Sequence, residues 1–289
     1  MVQPKMLIFG FGYTASYLLK HLTALDFYTI GTSRSQKFSA LQQEQKVELI
    51  DFSKIDAEKS LSTVTHIIVS TPPSSNLGDP VLLHFGELIK KYASQCQWLG
   101  YLSSTGVYGD HQGEWVNESS IPRALGPQGA LRLDAEIAWI DLAKNYQLPL
   151  HIFRIAGIYG PQRNALTRIA QGQIHTIFKA NHFFSRIHVD DIAAVLVASI
   201  QHPSPMSIYN IADDEPAPAH EVDAYAARLL HVAAPEKIAY EHAILSPRMQ
   251  EFYTQHRRVS NAKIKQELGV KLLYPTYREG LQSLLINMH

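Results

Sequence analysis

Gly10, Gly12 and Ala15 stand at Gly-x-Gly-x-x-Ala spacing in the opening run Lys5-Met6-Leu7-Ile8-Phe9-Gly10-Phe11-Gly12-Tyr13-Thr14-Ala15. An apolar strand leads into the glycines and a helical pattern follows, with Ala15, Leu18, Leu19 and Leu22 on one face. That context gives each small residue a task. Gly10 permits a tight turn, Gly12 lets a pyrophosphate approach the backbone, and Ala15 lets the helix lie close on the strand. Backbone amides from Gly10 through Phe11, Gly12, Tyr13, Thr14 and Ala15 would then grip a dinucleotide diphosphate at a helix N-terminus. The alternative is a Gly-rich turn with no ligand. Further on, Gly31-Thr32-Ser33-Arg34 carries no acid where a ribose 2′-hydroxyl would need one. Ser33 and Arg34 instead suit a 2′-phosphate, which favours NADP over NAD, unless Arg34 is simply an exposed arginine at a helix start. Asp51 would accept from an adenine amino group or cap a helix. Ser70, Thr71 and Pro72 would pass beside a nicotinamide ribose or form a structural loop.

The elements that must position these residues alternate strand and helix. Strands are expected at 6–9, 27–32, 47–50, 66–70, 98–102, 150–155 and 207–211. Helices are expected after the glycines and at 35–45, 80–93, 130–145 and 190–200. Short apolar runs such as His66-Ile67-Ile68-Val69-Ser70 suit a sheet covered on both faces. The alternation argues for an α/β fold with a doubly wound parallel sheet. Ligands bind at the carboxyl ends of the strands in such sheets. After Asp213-Asp214-Glu215-Pro216 the strand signal fades and helices dominate, at 220–230, 261–268 and from Thr276, where Thr276 and Glu279 fit a capping box. Residues 1–160 plus 186–214 are therefore expected to form the dinucleotide-binding domain. Residues 161–185 plus 215–289 would form a small, mostly helical substrate-side lid.

Composition excludes several classes. The 26 basic and 26 acidic side chains cancel, so no overall field recruits nucleic acid or an anionic membrane. No apolar run approaches the ~20 residues needed to span a bilayer, and the N-terminus enters a strand, so the chain reads as cytoplasmic. The single cysteine, Cys96, rules out an internal disulfide framework and reads as a buried structural thiol. The 14 histidines show no metal-ligand spacing, so no metal site is expected. There is no Gly-x-Ser-x-Gly elbow, so no hydrolase nucleophile stands out. The apolar face of the helix at 80–93 would either cover the sheet or pair in a homodimer.

At Tyr101-Leu102-Ser103-Ser104-Thr105-Gly106-Val107-Tyr108-Gly109 the chain resembles the short-chain dehydrogenase/reductase superfamily, in its extended, NAD-dependent epimerase/dehydratase-like branch. Arg154-Ile155-Ala156-Gly157-Ile158-Tyr159-Gly160-Pro161 and Arg186-Ile187-His188-Val189-Asp190-Asp191 are similar to further segments of that branch. The resemblance implies a Rossmann-type sheet and makes Ser104 the residue that hydrogen-bonds a substrate carbonyl or hydroxyl. Tyr108, Arg163, Asn164 and Arg186 fall in segments it places near the substrate. Arg163, Asn164 and Arg186 would grip a phosphate or carboxylate there, or lie on the surface, and Tyr108 would contact substrate or pack in the core. Asp190 and Asp191 open an apolar helix, where capping and the macrodipole account for acids, and His188 is expected to pack.

One departure stands out. The superfamily's Tyr-x-x-x-Lys pair should follow on the next helix, where alignment puts Gln128 at the tyrosine and Arg132 at the lysine. No tyrosine lies between Tyr108 and Tyr146. An amide cannot exchange a proton near neutral pH, whereas an arginine can hold the ribose or steady an anion. Two functions follow. In the first, the chain is an NADP- or NAD-dependent oxidoreductase or epimerase-like enzyme acting on a small carbonyl, hydroxyl or sugar-nucleotide substrate. Ser104, Gln128 and Arg132 would then form its catalytic set, with the proton supplied by water, Tyr108, Tyr253 or His256. In the second, the chain is a catalytically degenerate NADP-binding sensor or scaffold.

Overall fold

A computed structural model of the chain describes residues 3–34, 47–124 and 126–286. The helix expected over 35–45 lies outside these residues. In chain order the strands are β1 (Lys5–Phe9), β2 (Tyr28–Thr32), β3 (Val47–Ile50), β4 (His66–Val69), β5 (Trp98–Ser104), β6 (Trp115–Val116) and β7 (Leu150–Ile155). They continue with β8 (Gly157–Tyr159), β9 (His175–Phe178), β10 (Arg186–His188), β11 (Ser207–Ile211), β12 (Glu236–Ala239) and β13 (Arg258–Val259).

Seven of these build one sheet in the order β11-β7-β5-β4-β1-β2-β3, and every pairing within it is parallel. The chain runs outward one way from β1 through β2 and β3, then returns to β4 and runs the other way. The switch between β1 and β4 opens a crevice at their carboxyl ends, where ligands sit in sheets of this kind. All residues of β4 and β7 are buried, as a sheet covered on both faces requires.

The two faces divide by the strand's two-residue period. Met6 and Ile8 join the cluster formed with Leu18, Leu19 and Leu22 of the helix Tyr13–Ala24 and with Ile192 and Leu196 of the helix Val189–Gln201. Leu7 and Phe9 face the other way, toward Val81 and Ile89 of the helix Pro80–Lys91 and Trp139 of the helix Pro127–Tyr146. Asp79 starts the third of these helices by accepting from Val81 N–H (2.8 Å) and Leu82 N–H (3.1 Å), with Pro80 in the first turn, where its missing N–H costs nothing. Its other oxygen accepts from Trp139 Nε1 (3.0 Å), tying two helices on the same face.

A smaller core joins Leu166, Val222, Tyr225 and Ala226 to Tyr277, Leu281 and Leu284, and belongs to the lid. The chain after residue 214 is mainly helical, with the short strands β12 and β13 besides. β12 pairs in parallel with β9, and β13 with β6. These strands are too short and too exposed to carry an apolar alternation, which is why periodicity does not reveal them. The expected tail is also split. Val259, Ile264, Leu268 and Val270 pack in the main cluster over the sheet, while the helix Tyr277–Ile286 packs in the lid core. Asp191 fastens this crossing by accepting from Leu273 N–H (2.6 Å) and Tyr274 N–H (3.1 Å). His188 packs between Tyr159 and Tyr274, and its Nδ1 accepts from Asp190 N–H (3.3 Å). Among the described residues no helix is long and apolar enough to cross a membrane.

Candidate active site

Gly10 adopts φ +89°, and a Cβ there would lie 2.8 Å from Thr71 N, so the turn after β1 admits only glycine. Its own N–H donates to Thr32 Oγ1 (3.1 Å), and Phe11 N–H donates to Thr32 O (2.6 Å). Those two amides are therefore held by β2 rather than offered to a ligand. Nor does the Phe11 side chain face a ligand as expected: its ring is buried and packs where a Cβ on Gly31 would stand, so it is a core residue. Gly12 caps the helix Tyr13–Ala24 without a side-chain bond, and the helical ladder begins with Ser16 N–H to Gly12 O (3.0 Å). The amides of the first turn are thus left facing outward. A Cβ at Gly12 would meet nothing nearer than Gly10 O at 4.0 Å, so open space lies over them. This geometry fits a diphosphate. The side chain of Tyr13 points elsewhere, donating to Pro161 O (3.0 Å) beneath the Arg163 guanidinium. Ala15 is buried against the sheet, and Thr14 lines the cleft.

Around this turn the other expected contacts are placed unevenly. Ser33 N–H continues the pairing with β3 by donating to Ile50 O (2.9 Å), and Arg34 is exposed just beyond β2. Asp51 accepts from Ser53 N–H (2.8 Å) and Ser53 Oγ (2.6 Å), bonds that hold its carboxyl below the usual carboxylate range. It therefore shapes a turn, and the helix cap is Asp56, which accepts from Lys59 N–H (3.0 Å). Ser70 N–H donates to Phe9 O (2.8 Å), Thr71 backs Gly10, and Pro72 is exposed. Thr71 Oγ1 is buried with no partner among the described residues.

Beside the turn is a cavity of about 330 Å³ that brings together Thr14, Ser70, Ser104, Gln128, Arg132 and Arg163. Ser104, at the end of β5, accepts from Gly106 N–H (3.1 Å), which leaves its O–H to donate into the cavity. Arg132 reaches back from the helix Pro127–Tyr146 to donate through Nη1 to Leu102 O (2.7 Å). Gln128 stands exposed in the first turn of the same helix. Beneath them a buried network locks the layers together. Ser103 Oγ donates to Glu136 Oε1 (2.5 Å), and Arg154 Nη2 and Nε donate to Glu136 Oε2 (2.7 Å) and Oε1 (3.1 Å).

Tyr108 and Asn164 do not reach the cavity. Tyr108 is fully buried under the Arg154 guanidinium, and its hydroxyl donates to Asn210 Oδ1 (2.8 Å). Asn164 caps the helix Ala165–Ala170, accepting from Thr167 N–H (2.9 Å) and donating to Gly160 O (2.8 Å). Of the lid residues considered as proton donors, Tyr253 is buried and its phenol is pushed up to about 12 by that burial. His256 lines neither cavity; its Nε2 accepts from Phe183 N–H (3.3 Å).

A second cavity of about 540 Å³ adjoins the first and shares Arg163 and Arg257 with it. Its wall is largely apolar, including Tyr159, Phe183, Phe184 and Tyr253, with Arg168 and Arg186 among them. Arg168 is paired with Asp223 (2.7 Å), and Arg186 Nη1 donates to Phe184 O and Ala217 O (both 2.8 Å). Arg257 is held at one edge by Gly109 O (2.8 Å), while its Nε is buried with no partner among the described residues. Burial pushes its guanidinium down to about 10. Glu251, Phe252, Gln255 and Arg257 complete the smaller cavity from the lid. No spacing in the sequence marks them, because the lid helix Pro247–Thr254 that brings Glu251 and Phe252 there has no motif of its own.

Residues 6–212 match the model of the NAD dependent epimerase/dehydratase family. Across the full length, the structure is similar to a functionally unknown conserved protein from Silicibacter pomeroyi DSS, with 42% identity, TM-score 0.92 and 99% of each chain covered. It also resembles UDP-glucuronic acid 4-epimerase from Bacillus cereus, solved with NAD, at 16% identity and TM-score 0.78, with 99% of each chain covered. A third likeness is to dTDP-glucose 4,6-dehydratase from Bacillus anthracis str. Ames, also in complex with NAD. There the identity is 18% and the TM-score 0.78, covering 98% of this chain and 96% of that one. At such identities these two likenesses are of fold. Among curated proteins, 3-diazoavenalumate denitrifying reductase from a Streptomyces species is 27% identical over 141 residues. That match spans 45% of this chain and 45% of the reductase, less than half of its length.

Proposed function

We propose that this chain, which belongs to the NAD dependent epimerase/dehydratase family, binds a nicotinamide dinucleotide and uses it in a redox step on a small carbonyl, hydroxyl or sugar-nucleotide substrate. The observation that carries the reading is a convergence. The open helix N-terminus over Gly12 and the side chains of Ser104 and Arg132 meet at one end of the sheet, with Thr14, Ser104 and Arg132 lining a single cavity. When bound, the coenzyme supplies or accepts hydride. The chain's own residues do the rest. Amides of the first helical turn hold the diphosphate. Ser104, oriented by Gly106, donates its O–H to the substrate oxygen and stabilises charge that develops there. Arg132 keeps one N–H on Leu102 O and presents the others to the ribose or to an anion. The adjoining cavity would house the body of the substrate, with Arg257 aimed at an acidic group.

Arg34 favours NADP, since its guanidinium can pair with a 2′-phosphate in a place where an acid would be needed for the free hydroxyl. Titration of the purified protein with NADPH, NADP, NADH and NAD tests the coenzyme, followed by a panel of UDP-glucuronic acid, UDP-glucose, dTDP-glucose and small carbonyl compounds with Ser104→Ala as control. Arg34→Ala is expected to weaken NADPH binding about tenfold or more, the loss of one charge-assisted contact worth roughly 1.5–3 kcal/mol, and to leave NADH unchanged. An unchanged NADPH-to-NADH ratio overturns the NADP preference. Binding of none of the four coenzymes overturns the whole reading.

A second reading is that the chain senses the dinucleotide and performs no chemistry. Gln128 and Arg132, the residues standing where the superfamily's Tyr-x-x-x-Lys pair is expected, cannot exchange a proton near neutral pH. Coenzyme binding without turnover on any of the panel favours it.

A further inference from the structure

We infer that Glu251, carried by the lid helix Pro247–Thr254, is the group that exchanges the substrate's proton in the smaller cavity; this rests on the coenzyme-dependent reading above. Among the described residues lining that cavity, the hydroxyls, amides and arginines are unsuited to proton exchange near neutral pH, and Glu251 is the one carboxylic acid. Among the described residues no histidine, tyrosine, lysine or cysteine lines it. The neighbouring carboxylate, Glu136, is sealed in the core by Arg154 and Ser103 and lines no part of it.

The position of Glu251 is built, not incidental. Helix Pro127–Tyr146 begins at Gly126 with no side-chain cap of its own. Glu251 Oε1 fills that place from the lid by accepting from Gly129 N–H (3.4 Å). One glycine makes room for it and a second brings the helix against Gly106. A Cβ on Gly126 would overlap the Glu251 carboxyl, and a Cβ on Gly129 would lie 2.7 Å from Gly106 O. Gly106 in turn donates its N–H to Ser104 Oγ (3.1 Å). The Glu251 carboxyl and the Ser104 hydroxyl are thus joined through one backbone contact, Gly129 against Gly106. Gln128, standing where the superfamily's tyrosine is expected, is the residue just before Gly129. The positive end of the helix favours a carboxylate there, and Arg132, Arg163 and Arg257 line the same cavity.

The step balances without further reagents. In the oxidising direction the substrate's O–H proton passes to the Glu251 carboxylate while the hydrogen on the adjoining carbon leaves as hydride to the oxidised nicotinamide coenzyme. The C–O single bond becomes a carbonyl held by the Ser104 O–H. In the reducing direction, with hydride delivered to that carbon from a bound reduced coenzyme, Glu251 would return the proton to the oxygen.

Glu251→Gln and Glu251→Ala separate chemistry from packing, because a glutamine oxygen still accepts from Gly129 N–H and alanine does not. The measurements are NADPH and NADP affinity by fluorescence, hydrogen exchange at the Gly129 amide, and the pH–rate profile on the best substrate of the panel above. Glu251→Gln is expected to bind coenzyme and protect Gly129 like the wild type, yet turn over about 10²- to 10⁴-fold more slowly, with one ionisation missing from its profile. Glu251→Ala is expected to lose the protection as well. Wild-type turnover and profile in Glu251→Gln overturn the assignment, as does a loss seen in Glu251→Ala alone, which marks Glu251 as a structural tether. A wild type that binds coenzyme but turns over nothing in the panel also overturns it, and leaves the binding reading standing. A wild type that binds no coenzyme removes the reading beneath it.

Discussion

Gly10 and Gly12, two residues apart on the same turn, make opposite demands. At Gly10 the backbone sits at φ +89° with Thr71 N where a Cβ would go, so the residue is fixed by the fold itself. At Gly12 the backbone is extended and nothing in the protein claims the space. Gly10→Ala is therefore expected to destabilise the protein by about 1–3 kcal/mol, the scale of one strained backbone conformation. Gly12→Ala is expected to keep the wild-type melting temperature and to lose coenzyme affinity by tenfold or more. Differential scanning calorimetry paired with NADPH titration distinguishes them; equal coenzyme affinity in Gly12→Ala would count against the diphosphate site. The chemistry of single side chains is settled just as locally. Cys96 donates to Trp98 O (3.5 Å), and burial pushes its thiol up to about 12, which makes it inert.

Between elements, the most deeply buried ion pair among the described residues is Arg154–Glu136, with Ser103 joined to it. It ties β5 and β7 to the helix Pro127–Tyr146, directly beneath Ser104 and Arg132. A buried ion pair adds little net stability over an apolar replacement, but removing one partner strands the other. Glu136→Gln should therefore cost about 3–5 kcal/mol, because the Arg154 guanidinium is left charged and only 3% exposed. Urea denaturation measures it, and a cost below about 1 kcal/mol would show that the pair is not what holds the helix in place. Tyr108 belongs to the same junction, with the guanidinium over its ring at 4.8 Å, and for that reason cannot serve a substrate.

For the whole molecule, pH acts through buried histidines. His66, His151, His182 and His188 are each pulled down to about 4, chiefly by burial, which disfavours the charged ring. In the unfolded chain a histidine titrates near 6.5, so below that pH the unfolded state takes up protons that the fold refuses. Stability is full above about 6.5 and falls toward 4, at up to about 1.4 kcal/mol per pH unit for each ring. Asp191 opposes this. Burial lifts its carboxyl to about 6, so its contribution is full at low pH and is lost as pH rises through that value. Asp213 is lifted in the same direction. The opposition from Asp191 begins only near pH 6, and with four histidines set against two carboxyls the melting temperature is expected to drop from pH 7 to pH 5. His151→Phe, which keeps a ring stacked on Trp98, should flatten that slope; a melting temperature that does not change over this range would contradict the account.

Read from the residues alone, the seven strands of the central sheet, the longer helices that cover it and the turn at Gly10 and Gly12 were all visible. Those features are local: an apolar run, a two- or four-residue period and a glycine are each written in adjacent residues. Even a boundary device such as Thr276 with Glu279 was legible, and Thr276 N–H does donate to the Glu279 carboxyl (3.0 Å). Only the tertiary structure decided which side chains share a cavity. It buried Tyr108, spent Asn164 on a helix cap, paired the two-residue strands β6 and β13, and brought Glu251 and Arg257 into the cavity that Ser104 lines. The physical reason is that periodicity fixes which face of an element is covered, whereas the meeting of residues far apart in the chain depends on how whole elements pack. A lid helix without a motif carries no trace of the helix N-terminus it will cap.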